Sequence, residues 1–125
     1  MIIVDTSVWV DHLRKGDPGL AARLADGEVL THPLIIEEIA CGHLAHRGEI
    51  LGLIKALPVA PTASHQEVLG FISREALHGT GLGTVDVHLL ASTRLAGASI
   101  WSRDKALSRA AKKLGVLAPK TEIVS

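Results

Sequence analysis

The chain begins MIIVDTSVWVDHL, an apolar run that stops on a carboxylate and then changes period. Residues 1–4 show no polar alternation, the pattern of a strand covered on both faces. Val8, Trp9, His12 and Leu13 then recur at helical spacing, after the N-cap candidates Thr6 and Ser7. A strand of that kind belongs in a parallel sheet whose crossover connections lay helices over it. An acid at the strand's end is either a helix cap or a buried charge, and an unpaired desolvated carboxylate costs several kcal/mol. Its meaning therefore depends on which other acids converge on it.

The alternation continues along the chain. EVLT (28–31), LPVA (57–60) and ASIWS (98–102) read as further short strands, and EIV (122–124) as an edge strand. Helical stretches separate them. In DPGLAARLADG, Asp17 is suited to cap, Pro18 to the first helical position and Gly27 to the residue past the end. Pro33 starts a helix through Gly42, and GEILGLIKAL is apolar at helical spacing. Ser64 and Glu67 form a capping-box pattern opening a helix that ends near Gly79, Thr84 caps TVDVHLLASTRLAG, and Gly115 closes DKALSRAAKKLG. The expected fold class is α/β, with a central, mostly parallel sheet of four to five short strands and helices on both faces.

At 125 residues the length suits one domain spanning 1–125, and an apolar content of 47% excludes disorder. Aromatics at 2% leave no stacking platform for bases, and 13 basic against 13 acidic residues give no overall pull toward a polyanion. The single Cys41 excludes an internal disulfide and is expected as a small buried hydrophobe. MIIV lacks the basic flank of a signal peptide and no apolar run approaches the roughly 18 residues of a membrane span, so a cytoplasmic protein without a membrane is expected.

Ligands of open α/β sheets bind outside the carboxyl ends of the strands, near the point where strand order reverses. Asp5 ends the first strand and Asp104 follows ASIWS, which places both on one rim. Asp86 falls in the first turn of its helix. Glu38 lies on the helix after the second strand, with Gly42 one turn further on, either clearing space beside the carboxylate or ending the helix. Glu37, offset by about 100°, competes with Glu38 for that place. Taken singly, each acid suits a cap, a first turn or a solvated helix face. If all four converge, each pair at about 4 Å repels by about 4 kcal/mol at an effective dielectric near 20. Such a cluster calls for a divalent cation, and all-oxygen ligands favour Mg²⁺, Mn²⁺ or Ca²⁺ over zinc. That chemistry suits metal-assisted phosphodiester hydrolysis.

Four motifs in order, hhhDTS at Asp5 to Ser7, ExxxG from Glu38 to Gly42, GTVDVHLLA around Asp86 and WSRDKAL around Asp104, carry a resemblance to the PIN-domain nucleases. Within them the chain most resembles the VapC toxins of VapBC toxin-antitoxin modules, over essentially its whole length. The resemblance implies a three-layer PIN fold and a Mg²⁺ or Mn²⁺ site held by Asp5, Glu38, Asp86 and Asp104, with Glu38 binding directly or through water. It implies Thr6 or Ser7, and Ser102, as hydroxyls steadying the acids. It further implies endoribonuclease activity on an RNA substrate, inhibition by a small VapB-like antitoxin, and a homodimer that assembles further with that partner.

Arg14, Lys15, Arg47, Arg103, Lys105, Arg109, Lys112 and Lys113 are candidates for phosphate contact, with Arg103 and Lys105 favoured because they flank Asp104. Lys112 and Lys113 equally suit the end of a helix dipole. The seven histidines show no metal-ligand spacing, and Asp11 reads as a solvated helix acid. GTGLG (79–83) follows a helix where a phosphate loop must follow a strand, so it reads as a connector. An aspartyl-phosphate phosphatase would need an Asp where Ser7 stands. The remaining alternative is a non-catalytic partner-binding module of the same fold whose acids hold a structural ion.

Overall fold

A computed structural model of the chain describes residues 1–119. β1 (Ile2–Val4) leads into α1 (Thr6–Lys15) and α2 (Pro18–Ala25), and β2 (Val29–Leu30) into α3 (Pro33–Cys41) and α4 (Arg47–Lys55). α5 (His65–Arg74) and α6 (Thr84–Ala96) precede β3 (Ser99–Trp101), and α7 (Lys105–Leu114) follows it.

The strands form a parallel sheet in the order β2-β1-β3. Ile2 pairs with Val29 on one side and with Ser99 on the other, so strand order reverses at β1, and Asp5 stands just beyond its carboxyl end. All three residues of β1 are buried, as the unbroken apolar run requires. Val4, Val8, Leu89, Leu90, Ile100 and Leu107 are fully buried, so aliphatic side chains fill the core between sheet and helices. The fold class is as expected, α/β of the three-layer kind. No helix among the described residues is long and apolar enough to cross a membrane.

Several local expectations need correction. LPVA is not a strand: it touches the sheet only at Val59, which bridges Thr31 through Thr31 N–H to Pro58 C=O (2.8 Å) and Ala60 N–H to Thr31 C=O (2.9 Å). Pro58 has no N–H to extend the ladder. On the opposite edge Leu117 bridges Ile100, while EIV (122–124) lies outside the described residues. Among the described residues the sheet thus has three strands, with a single-residue bridge at each edge.

α5 ends at Arg74, short of Gly79, because Leu77 N–H reaches back to Ile72 C=O (3.0 Å) and Ala76 N–H to Ser73 C=O (3.3 Å), a Schellman closure. Ala76 takes the left-handed conformation (φ 51°) that this closure needs, and the buried Leu77 supplies its apolar contact. Gly83, not Thr84, is the N-cap of α6. Cys41 is exposed at the end of α3 rather than buried, and Gly42 caps that helix, so it terminates α3.

Candidate active site

Asp5 is held at the sheet's rim by its backbone, whose N–H donates to Trp101 C=O at 2.9 Å and so continues the β1–β3 ladder to the acid itself. Its side chain is the N-cap of α1, taking the Ser7 N–H at 3.4 Å. The Ser7 and Ser102 hydroxyls donate to the same Oδ2, at 2.7 and 2.8 Å. Each hydroxyl has one proton, and each also accepts a backbone N–H from the loop after β3: Arg103 N–H to Ser7 at 2.9 Å and Asp104 N–H to Ser102 at 3.0 Å. Asp5 is buried, 7% exposed, and these donors offset its desolvation on one oxygen while, among the described residues, Oδ1 takes no hydrogen bond. Ser7 and Ser102 therefore set the angle of Asp5, as two parts of one loop-to-helix network.

The neighbouring hydroxyl has a different task. Thr6 donates to Glu38 Oε1 at 2.6 Å, tying the start of α1 to α3. Asp104 is the N-cap of α7, its Oδ1 accepting Leu107 N–H at 3.1 Å, and is otherwise exposed. Asp86 sits in the first turn of α6, where its Oδ2 accepts Gly83 N–H at 3.1 Å. Burial pushes the Asp86 carboxyl above the ordinary carboxylate range. The Gly83 N–H opposes that shift, and the charges of Asp104, Asp5 and Glu38 reinforce it. The structure thus brings the four acids named from the sequence into one electrostatic neighbourhood, and Glu38, not Glu37, is the α3 member of it.

Among the described residues, no Lys, Arg or His lies within ion-pair distance of any of the four. Nor do any three His, Cys, Asp or Glu side chains of the described residues stand close enough together to hold a metal ion as placed. A donor set of separate carboxylates beside water fits a hard, hydrated cation such as Mg²⁺, which keeps several waters and is usually held by one or two carboxylates. It does not fit a tight structural cage.

Of the two favoured cations, Lys105 opens α7 and is exposed. Arg103 is committed elsewhere: its guanidinium pairs with Asp11 Oδ2 at 2.6 Å and with Asp17 Oδ2, and lies 5.8 Å from the centre of the Trp101 ring. Asp11 is accordingly part of an ion-pair network rather than a free helix acid. Charge spacing alone could not have shown this clasp, because its members are 86 and 92 residues apart.

His32 was missed as well. It is buried at the N-cap of α3, its Nδ1 accepting Leu34 N–H at 3.0 Å, which leaves Nε2–H to donate to Ser92 on α6 at 3.0 Å. Burial, reinforced by the nearby His88, holds this imidazole below its usual range. It joins the helices that carry Glu38 and Asp86. Its position directly before Pro33, itself at a first helical position, was the available signal. Beside the acids, α1, α3 and the following loop enclose an apolar groove of about 540 Å³ whose lining includes Val10, Ile39, Leu44 and, of the four acids, only Glu38.

A parallel α/β sheet with carboxylates at its switch point places those acids where sheets of this class bind their ligands. The PIN domain model matches residues 2–113, and the chain belongs to the PIN domain family. It is 47% identical over 117 residues to "Ribonuclease VapC32" of Mycobacterium tuberculosis, as recorded for strains CDC 1551 / Oshkosh and ATCC 25618 / H37Rv, covering 93% of this chain and 94% of the relative.

Proposed function

We propose that the chain is a metal-dependent endoribonuclease, the toxin of a VapBC-type toxin-antitoxin pair acting in the cytoplasm. The observation that carries this reading is the buried Asp5 at the sheet's switch point, joined through Ser102 to Asp104 and through the adjacent Thr6 to Glu38, with no Lys, Arg or His of the described residues within ion-pair distance of these acids. Similarity to a relative named ribonuclease supports it. Asp5, Asp86 and Asp104 would hold a hydrated divalent cation, Mg²⁺ or Mn²⁺, with Glu38 binding directly or through water. Bound there, the ion supplies a Lewis acid for phosphodiester hydrolysis and charge neutralisation at the phosphate. Ser7 and Ser102 fix the Asp5 carboxylate, and Thr6 fixes Glu38, so that the acids need no reorganisation when substrate arrives. The partners are RNA, a small VapB-like antitoxin and a second copy of the chain.

The test is cleavage of total cellular RNA by partner-free protein, wild type against Asp5→Asn, each with Mg²⁺, Mn²⁺ and a chelator. Discrete cuts that require both the metal and Asp5 are expected. Cuts that persist in chelator would remove the metal from the chemistry. The absence of cuts, with a divalent cation still raising Tm, would favour a non-catalytic binding module.

A further inference from the structure

α7 has the sequence KALSRAAKKL, four cations and no acid. At 100° per residue, Lys105, Arg109, Lys112 and Lys113 fall within an arc of about 100°, opposite the buried Leu107, Ala110 and Ala111. All four are exposed, and among the described residues none is within ion-pair distance of an acid. Arg14, Arg23, Arg94 and Arg103, by contrast, each have an acidic partner.

Helix stability does not account for the stripe. The dipole favours Lys112 and Lys113 in the last turn but disfavours Lys105 in the first, and Lys105–Arg109 and Arg109–Lys113 are repelling i,i+4 pairs. The balanced charge of the whole chain, 13 against 13, makes this a local field rather than a general one.

We propose that this face of α7 is a track for the sugar-phosphate backbone of single-stranded RNA entering the acidic rim, an inference that rests on the ribonuclease reading. The stripe begins next to Asp104, the N-cap of α7 and one of the four acids, and runs outward. From Lys105 to Lys113 it covers roughly 12 Å at 1.5 Å per residue. That length spans more than one phosphate of a single strand, so several of its cations can act on successive phosphates at once. No aromatic residue accompanies it, so the face holds and orients the strand without reading bases. Cations on the track also offset the repulsion that four carboxylates impose on an approaching polyanion.

The test uses full-length protein carrying Asp5→Asn, so that a labelled oligouridylate is bound and not cut. The stripe variant adds Arg109→Gln, Lys112→Gln and Lys113→Gln. A charge-matched control instead adds Lys15→Gln, Lys55→Gln and Arg74→Gln, and thermal melts establish that all three proteins are folded. With about 0.7 in slope per phosphate neutralised on a single strand, the plot of log K against log salt should flatten by about two in the stripe variant and not in the control. In the Asp5-containing protein the same three changes should raise KM for RNA with kcat and cut sites unchanged.

Equal slopes in stripe variant and parent, or equal flattening in the control, overturn the track. Loss of binding to polyglutamate with oligouridylate binding intact also overturns it, in favour of a docking face for an acidic protein. If wild-type protein cuts no RNA yet the stripe variant loses the slope, the nuclease reading falls and the RNA-binding face stands.

Discussion

Two groups of acids lie near α1, and they are built in opposite ways. Asp11 and Asp17 share the guanidinium of Arg103, which crosses from the loop after β3 and packs near Trp101. Burial pushes the Asp17 carboxyl upward, but the Leu20 N–H and Arg103 outweigh it and hold the group below the ordinary range. Asp5, Glu38, Asp86 and Asp104 have hydroxyl and N–H donors but, among the described residues, no cation, and Asp86 is displaced the other way. Acids that close the fold receive a counter-charge from the chain itself. Acids at the sheet's rim receive none from the described residues, and in the proposed function a bound cation supplies it, a difference that would separate a site from a structural clasp more sharply than residue type does.

Asp5→Asn tests the rim most severely. Asn caps a helix as well as Asp does, so α1 keeps its start and Tm should move little. RNA cleavage should fall at least about 100-fold, the usual effect of deleting one well-placed electrostatic group. A rate near that of wild type would mean the buried carboxylate is a cap and nothing more. Ser102→Ala comes next. It removes one of the two hydroxyl donors on Asp5 Oδ2 and the acceptor of Asp104 N–H, disturbing two acids at once. Loss of about 10- to 100-fold in metal affinity or activity is expected, read from a Mg²⁺ titration of cleavage, with about 1 kcal/mol of stability lost. A loss of stability without a shift in the Mg²⁺ titration would put Ser102 with the clasp rather than the site.

The places of Asp5, Asp86 and Asp104 were legible from the sequence because they stand at element boundaries, and boundaries with caps are what local patterns mark best. β1 ends at Asp5, Asp104 caps α7 and Asp86 sits in the first turn of α6. Choosing Glu38 over Glu37 needed the tertiary contact with Thr6, 32 residues away. The Arg103 clasp and the His32–Ser92 bridge were not legible for the same reason: each joins side chains that are distant in sequence, and nothing local announces the pairing. LPVA failed as a strand because apolar composition says nothing about ladder length. Val59 is 55% exposed and meets β2's continuation at one residue only.

The smallest effect is the one that separates the two groups by sign. A carboxyl whose folded pKa is raised holds protons in the native state that the unfolded chain has released. Stability therefore falls as pH rises from 3.8 through the folded value of Asp86, and its ionised form burdens the fold at neutral pH. For Asp17 the folded value is lowered, so its contribution is present above 3.8 and is lost as pH falls through that lower value. Asn can keep the hydrogen bonds to Gly83 N–H at position 86 and to Leu20 N–H at position 17. Asp86→Asn should then raise Tm at neutral pH in chelator and Asp17→Asn should lower it, each reflecting a stability change of less than about 1 kcal/mol because both acids retain contact with water. Added Mg²⁺ should shrink the gain from Asp86→Asn, since the ion supplies the missing counter-charge to the wild type, and leave the Asp17→Asn loss unchanged. If both substitutions lower Tm alike and Mg²⁺ alters neither, the rim acids are already compensated within the fold and do not require an external cation.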